Sequence, residues 1–305
     1  MADENTVAVI GGSGFVGRYI TARMAADGWR VRVVSRTPEA LPQDRVVPVA
    51  ANVRDDASIR EAVMGAQAVV NLVAVLNSVG EQSFENLHVE AADRVSRLAR
   101  EEGVSHFVHV SSIGSHPGAA SQYAQTKGKG EAAVLQHFEH AMILRPSLIF
   151  GAEDGLFNRF AAMAKYGPVL PIFGGNSKFQ PVYVDDVAQA ACLGIKGKAT
   201  GVYELGGPDI ETLTQLMHRM LGVLGWRRQV INLPFPVGAL MGGSLDLLQT
   251  ITGGLFENGM VTADQIVTLR SDNVVNPGAS GFAELKITPT PMSDILPTYL
   301  NKHNS

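Results

Sequence analysis

The chain has 305 residues, 46% of them apolar and 18% charged, and a net charge of −4. This is the composition of an ordinary globular protein with a full core, long enough for one large α/β domain or a large and a small one. It excludes a disordered or low-complexity chain, and the absence of any basic run argues against nucleic acid as a partner.

The N-terminal Met1-Ala2-Asp3-Glu4-Asn5 is acidic and lacks the basic and apolar regions of a signal peptide, and no uninterrupted apolar run is long enough to span a bilayer. Cys192 is the only cysteine, so no internal disulfide can form; it reads as a small buried apolar group rather than a nucleophile. The expected location is the cytoplasm, or peripherally the cytoplasmic face of a membrane.

Residues 7–10 form an apolar run that passes into Gly11-Gly12-Ser13-Gly14-Phe15-Val16-Gly17. A helix is expected over 18–27 with Gly28 as its stop, then a second apolar strand over 31–34 ending at Ser35-Arg36-Thr37. Strand, glycine turn, helix and strand within about thirty residues is the layout of a dinucleotide-binding βαβ unit. The glycines serve separate purposes. Gly11 permits the sharp turn, Gly14 the close approach of a pyrophosphate, and Gly17 the tight packing of the helix on the sheet. The helix N-terminus offers unpaired N–H groups and a positive dipole end to phosphate. Arg18 either touches that phosphate or is solvated. NAD enzymes usually carry an acid at the end of the second strand, whereas a cation between two hydroxyls suits a 2′-phosphate, so NADP(H) is favoured over NAD(H). The competing reading of Arg36 is a solvated surface residue.

Further strands are expected over 46–49, 68–73, 107–110 and 141–145, with helices over 58–64, 84–102 and 123–139 between them. The alternation implies an α/β fold, a Rossmann-like doubly wound parallel sheet with right-handed crossovers. Residues 1–151 read as the nucleotide-binding core and 152–305 as sheet completion interleaved with a smaller, mostly helical C-terminal region. Within the latter, 157–166 looks helical, 168–181 loop-rich, 182–184 a strand feeding a helix, 202–205 a strand, and everything from 212 onward helical and partly irregular. The apolar, glycine-rich stretch 234–256 is a buried helix hairpin or an amphipathic surface that meets lipid or a partner.

Tyr123 and Lys127 stand four residues apart and share a helix face. An unperturbed phenol, with a pKa of about 10, is a poor acid–base group near neutrality; a neighbouring ammonium lowers that value. The pair could then exchange a proton with a carbonyl or alcohol oxygen while a nicotinamide moves hydride, with Ser112 hydrogen-bonding the same oxygen. Among other candidates, Asp185 and Asp186 read as a helix cap rather than a catalytic pair. His137 and His140 read as surface histidines rather than metal ligands, and His106, His109 and His116 receive no role.

The glycine turn, Val110-Ser111-Ser112, Tyr123 with Lys127, Leu144-Arg145-Pro146 and Val184-Asp185-Asp186-Val187-Ala188 together resemble the extended and atypical short-chain dehydrogenase/reductase superfamily, the NAD-dependent epimerase/dehydratase relatives included, over about the first two-thirds of the chain. The resemblance implies catalytic roles for Ser112, Tyr123 and Lys127, with Lys127 also holding the nicotinamide ribose. It implies cofactor contacts at Asn52 and Val53, at Leu72, Val73 and Ala74, at Val110 and Ser111, and at Pro146, Ser147 and Leu148. Asn52 departs from the usual adenine-contacting aspartate, although an amide still offers a donor and an acceptor. The tail motifs Met260-Val261-Thr262-Ala263-Asp264-Gln265, Leu269-Arg270-Ser271-Asp272-Asn273 and Ile287-Thr288-Pro289-Thr290 resemble one branch, the nucleotide-binding accessory subunits of respiratory complex I and their bacterial relatives. That branch implies a tightly held NADP(H), other complex I subunits as partners, and a place near the membrane (the matrix side if mitochondrial). Two readings stay open: a protein in which nucleotide is structural, and an active NADP-dependent reductase, epimerase or dehydratase acting on a carbonyl or sugar-nucleotide substrate.

Overall fold

In the computed structural model, residues 5–38, 44–78, 80, 82–238 and 262–300 are described. The first half alternates strand and helix: β1 (Thr6–Ile10), α1 (Phe15–Ala26), β2 (Arg30–Ser35), β3 (Val46–Ala50), α2 (Asp56–Val63), β4 (Ala68–Asn71), α3 (Ala91–Glu101), β5 (His106–Val110), α4 (Gln122–His137) and β6 (Met142–Pro146). The second half is more broken: β7 (Ile149–Phe150), α5 (Phe157–Tyr166), β8 (Val169–Phe173), β9 (Lys178–Phe179), β10 (Val182–Tyr183), α6 (Val184–Ile195), β11 (Gly201–Leu205), β12 (Glu211–Thr212), α7 (Leu213–Leu224), β13 (Gln229–Leu233), α8 (Ala263–Thr268) and α9 (Met292–Leu300).

Seven strands form one parallel sheet in the order β11-β6-β5-β4-β1-β2-β3. Every residue of β1 is buried, because helices cover both faces of a parallel sheet. Val7 and Val9 point into one core with α1 and α6, whereas Ala8 and Ile10 point into the other with α2 and α3. Strand periodicity therefore sorts adjacent residues into separate layers. On the α1 side, Arg23 clamps Asp185 of α6 through two hydrogen bonds of 2.6 Å. Phe282, Leu285 and Ile287 return from the C-terminal region to the same layer. A third core joins α5, α7 and α9, with Leu170 and Ile172 of β8 among its buried residues.

The expected α/β architecture is present, and five local expectations need correction. The fourth strand stops at Asn71 rather than 73, since Asn71 Oδ1 turns back to accept from the Val73 N–H at 3.1 Å. The single helix over 84–102 begins instead as a π-helical turn, Glu85–Glu90, that runs into α3. The loop-rich reading of 168–181 missed β8, and the helical reading beyond 212 missed β13; the two pair in parallel, Gln229 opposite Val169 through Leu233 opposite Phe173. Pro171 interrupts the apolar run of β8, and Gln229 and Asn232 break that of β13. Neither Asp185 nor Asp186 is the cap: Tyr183 is, and Asp186 accepts from the Thr290 N–H at 2.6 Å and its hydroxyl at 2.9 Å. Most of 234–256 lies outside the described residues.

Candidate functional site

The glycine turn leaves β1 with Gly11 at φ +83, the left-handed region that favours glycine, and its N–H donates to the Val34 carbonyl at 2.8 Å. A methyl on Gly17 would lie 2.5 Å from the Gly12 carbonyl oxygen, so this glycine packs the helix against the turn itself. Gly14 is different. It is the exposed N-cap of α1, no side chain caps the helix there, and a methyl on it would meet only the Gly11 oxygen, at 3.2 Å. Phe15, Val16 and Gly17 follow as the first helical turn. An uncapped N-terminus behind an open glycine is a cradle that fits a pyrophosphate. Ser13 Oγ donates to Ser35 Oγ at 2.9 Å and ties the turn to the end of β2.

Beside this turn lies a cavity of about 480 Å³. Of the residues expected to meet cofactor, Gly11, Ser35, Arg36, Asn52, Val53, Leu72, Val73 and Ala74 line it. Arg54 lines it too and was missed by sequence reasoning; its position two residues after Asn52 was the available signal. The lining holds two arginines and no carboxylate. Thr37 is exposed, and so is Arg18 at the start of α1. Asn52 Oδ1 accepts from the Arg54 N–H at 3.1 Å, so the side-chain acceptor already closes a local turn.

The carboxyl ends of β5 and β6, with the start of α4, bring together the remaining expected residues. Tyr123 lies in the first turn of α4, its phenol beside Ser112. Ser112 Oγ also lies 2.9 Å from Ser115 Oγ, which accepts from Ser111 Oγ at 3.1 Å. Lys127 is almost wholly buried and donates to the Val110 carbonyl at 2.7 Å. Burial pushes its pKa down to about 8, opposed by Glu131 one turn further along α4. Glu131 in turn accepts two bonds from Arg145, at 3.0 and 2.6 Å. The expected lowering of the Tyr123 pKa is not present. Burial raises it and the neighbouring Ser112 hydroxyl opposes this only in part; the Lys127 ammonium is directed at Val110 instead. An undissociated phenol is the form that gives a proton to an oxygen. At the end of β6, Ser147 Oγ donates to Asn273 rather than pointing free, at 2.8 Å to the carbonyl and 2.7 Å to Oδ1, while Pro146 is buried and Leu148 packs against the third core.

Two buried histidines support this floor, and neither received a role from sequence. His88 Nε2 accepts from the Val75 N–H at 3.1 Å, which places the ring proton on Nδ1, 3.0 Å from Thr126 Oγ1. Its ring stacks on Phe84 and meets Tyr123 edge-on, with centroids 5.4 Å apart. Burial, then the Lys127 charge, pushes its pKa down to about 3, so it is neutral. A methyl on Gly130 would collide with the His88 carbonyl oxygen, so α4 presses on the π-helical turn where only glycine fits. The signal for His88 was its register on the apolar stripe with Phe84, Ala91, Ala92 and Val95. His109 on β5 lies opposite Asn71, its Nδ1 3.3 Å from Asn71 Nδ2, while its Nε2 has no partner among the described residues. His106 crowds Gly197, and His116 Nδ1 accepts from the Gly118 N–H at 3.0 Å. His137 Nε2 lies 2.8 Å from Asp93 Oδ1. Among the described residues no cluster has the makeup of a metal site, and no helix is long and apolar enough to cross a membrane.

Comparison with known proteins matches residues 7–206 to the NAD dependent epimerase/dehydratase family. The chain is 32% identical over 295 residues to the mitochondrial NADH dehydrogenase (ubiquinone) 1 alpha subcomplex subunit 9 of Arabidopsis thaliana, covering 92% of this chain and 73% of that protein. It is 30% identical over 251 residues to the ceramide reductase of Caulobacter vibrioides, covering 79% of this chain and 77% of that one. In fold it resembles the UDP-glucose 4-epimerase of Thermotoga maritima, with a TM-score of 0.72, 17% identity and 98% of both chains covered. MoeE5, solved with UDP-glucose and NAD, gives a TM-score of 0.71 at 16% identity over 98% of both chains.

Proposed function

The chain belongs to the NAD-dependent epimerase/dehydratase family, and on that premise we propose that it is an NADP(H)-holding accessory or assembly protein of respiratory complex I, in which the bound nucleotide is structural. The observation that carries the nucleotide preference is the lining of the 480 Å³ cavity, with Arg36 and Arg54 and no acid to accept from a ribose 2′-OH. The accessory role is supported by the similarity to complex I subunits from a plant and from Neurospora crassa, the second at 29% identity over 99% of this chain. In this reading Gly11 to Gly17 hold the pyrophosphate, and Ser35, Arg36 and Thr37 grip the 2′-phosphate. Asn52, Val53 and residues 72–74 enclose the adenosine; Lys127 and the Pro146-Ser147-Leu148 backbone take the nicotinamide ribose and ring. A ligand bound by the native state alone stabilises it through mass action.

The experiment is a titration of the purified protein with NADPH and NADH, together with identification of the nucleotide that copurifies. NADPH binds more tightly, and replacing Arg36 and Arg54 by alanine removes the difference. Equal affinity for the two in the wild type refutes the preference. Comigration with the respiratory complex on membrane fractionation tests the accessory role.

A specific observation also favours a second reading. Ser112 follows β5, Tyr123 and Lys127 stand in the first turns of α4, and one relative is a ceramide reductase. When bound, NADP(H) would supply or accept a hydride. Ser112 would hold a carbonyl oxygen of the substrate, and Tyr123, kept protonated by its burial, would donate to it. Tyr123→Phe separates the two readings. Nucleotide retention and assembly survive the substitution if the nucleotide is structural, whereas turnover of a carbonyl substrate is lost if the protein is an enzyme.

A further inference from the structure

The motif from Thr262 to Asn273 lies against the site in a way that the nucleotide reading does not use. Asp264 accepts from the Gln122 N–H at 2.7 Å through Oδ1 and from the Tyr123 N–H at 3.0 Å through Oδ2. The local cap of α4, Ser121, takes only the Ala124 N–H. Two of the orphan donors of the helix that carries Tyr123 and Lys127 are therefore satisfied from more than a hundred residues away in sequence. A carboxylate at that end of the helix is also favoured by the dipole.

Asp264 is held in place. Thr262 and Gln265 form a capping box at the start of α8, which places Asp264 in its first turn. Gln265 Nε2 donates to Asn77 Oδ1 at 3.0 Å, in the loop that follows β4. At the other end Asn273 accepts the Ser147 hydroxyl, and its own N–H donates to the Lys178 carbonyl at 2.7 Å. The segment thus runs from the loop after β4, across the first turn of α4, to the end of β6. The 480 Å³ cavity is lined by the glycine turn and the ends of β2, β3 and β4; neither Tyr123 nor Ser147 is part of its lining.

Resting on the nucleotide reading above, we propose that residues 262–273 are a strap across the nicotinamide half of the site, and that Asp264 is the positioning residue that latches it. The adenosine half is the cavity beside the glycine turn, and the strap covers the other half from Asn77 to Ser147. Asp264 acts through the backbone of Tyr123: its two charge-assisted bonds prevent the first turn of α4 from fraying and so hold the phenol over Ser112. Exchange of the whole dinucleotide requires the latch to open, whereas exchange of an adenosine fragment does not.

The test is the release of NADPH from full-length wild type, Asp264→Ala, Asp264→Asn and Asn273→Ala. It is followed through nicotinamide fluorescence in a displacement experiment, beside calorimetric binding of adenosine 2′,5′-bisphosphate and thermal melts. Asp264→Ala speeds NADPH release at least about tenfold and shifts the emission of bound nicotinamide toward that of free NADPH, with fragment affinity unchanged. Asp264→Asn keeps one acceptor and falls between. Asn273→Ala releases the other end of the strap and moves release and emission the same way, which serves as the test should Asp264→Ala fail to fold. Unchanged release in the folded variants overturns the proposal, as does an equal weakening of NADPH and fragment, the mark of a merely structural residue. Wild type that binds neither ligand overturns the nucleotide reading, and the strap with it, before any variant is compared.

Discussion

Gly14 and Gly17 stand three residues apart in one motif, yet alanine at each should fail for opposite reasons. At Gly17 the added methyl would lie 2.5, 2.6 and 2.7 Å from the oxygen, Cα and carbonyl carbon of Gly12. These are backbone atoms of a turn already fixed by hydrogen bonds to β1 and β2, so no rotamer relieves the clash. Overpacking of this kind costs about 1–3 kcal/mol. At Gly14, φ is −74 and the one neighbour is an oxygen at 3.2 Å, so alanine fits the folded chain. The gain from a stiffer unfolded chain, about 0.4–1 kcal/mol, roughly offsets the loss of about 0.5–1 kcal/mol when alanine replaces glycine at an N-cap. The methyl nevertheless projects where the pyrophosphate has to approach. Urea denaturation with and without NADPH at a hundredfold its dissociation constant reads both effects. Wild type gains about 2.7 kcal/mol from the ligand. Gly14→Ala should match the ligand-free stability of wild type and gain almost nothing from NADPH, and Gly17→Ala should be less stable without any ligand present. A Gly14→Ala protein that keeps the full ligand-induced gain would show that no diphosphate lies against this helix.

Two further expectations concern groups outside the glycine turn. His88 has its folded pKa pushed down from 6.5 to about 3, so the unfolded chain takes up a proton first as the pH falls, and the stability due to its neutral burial is present above about 6.5 and lost below it. Between pH 6.5 and 5 this amounts to about 2 kcal/mol, and His88→Asn should flatten the stability–pH curve by that much; an unaltered curve would mean that the ring is not neutral in the folded chain. Tyr299 donates its hydroxyl to Asp154 Oδ2 at 2.5 Å and joins α9 to the start of α5, where Asp154 also accepts from the Phe157 N–H. Tyr299→Phe should lower stability by about 1–3 kcal/mol in a thermal melt while leaving nucleotide affinity at 25 °C unchanged.

The parallel sheet was legible because its strands are short, continuous apolar runs separated by glycine turns and amphipathic helices, patterns that depend on local chemistry alone. β1 and α1 with their glycines are the clearest case. β8 and β13 were not legible, since Val169-Leu170-Pro171 and Gln229-Val230-Ile231-Asn232 become strands by pairing with each other across some sixty residues, a contact that no local window contains. At the site, Ser112, Tyr123 and Lys127 were found by type and spacing, but the electrostatics were not. Whether an ammonium lowers a phenol's pKa depends on where the ammonium points, and Lys127 points at Val110. His88, and the contact that Asp264 makes, escaped notice for a related reason. One sits in an apolar stripe that reads as core, and the other reaches α4 only through the tertiary fold.

The edge strand β11 shapes how this molecule can be dissected. It hydrogen-bonds along the whole of β6, from Gly201 opposite Met142 to Leu205 opposite Pro146, and α6, which precedes it, fills the layer beside α1. A polypeptide ended near residue 151 would keep every glycine of the nucleotide turn, yet its last strand would present a bare row of amides and carbonyls, and the apolar side of α1 would face water. Such a fragment is a template for intermolecular strand pairing rather than a half-size binding module. Fragments supplied in trans would rebuild the sheet only if the second piece carried both α6 and β11.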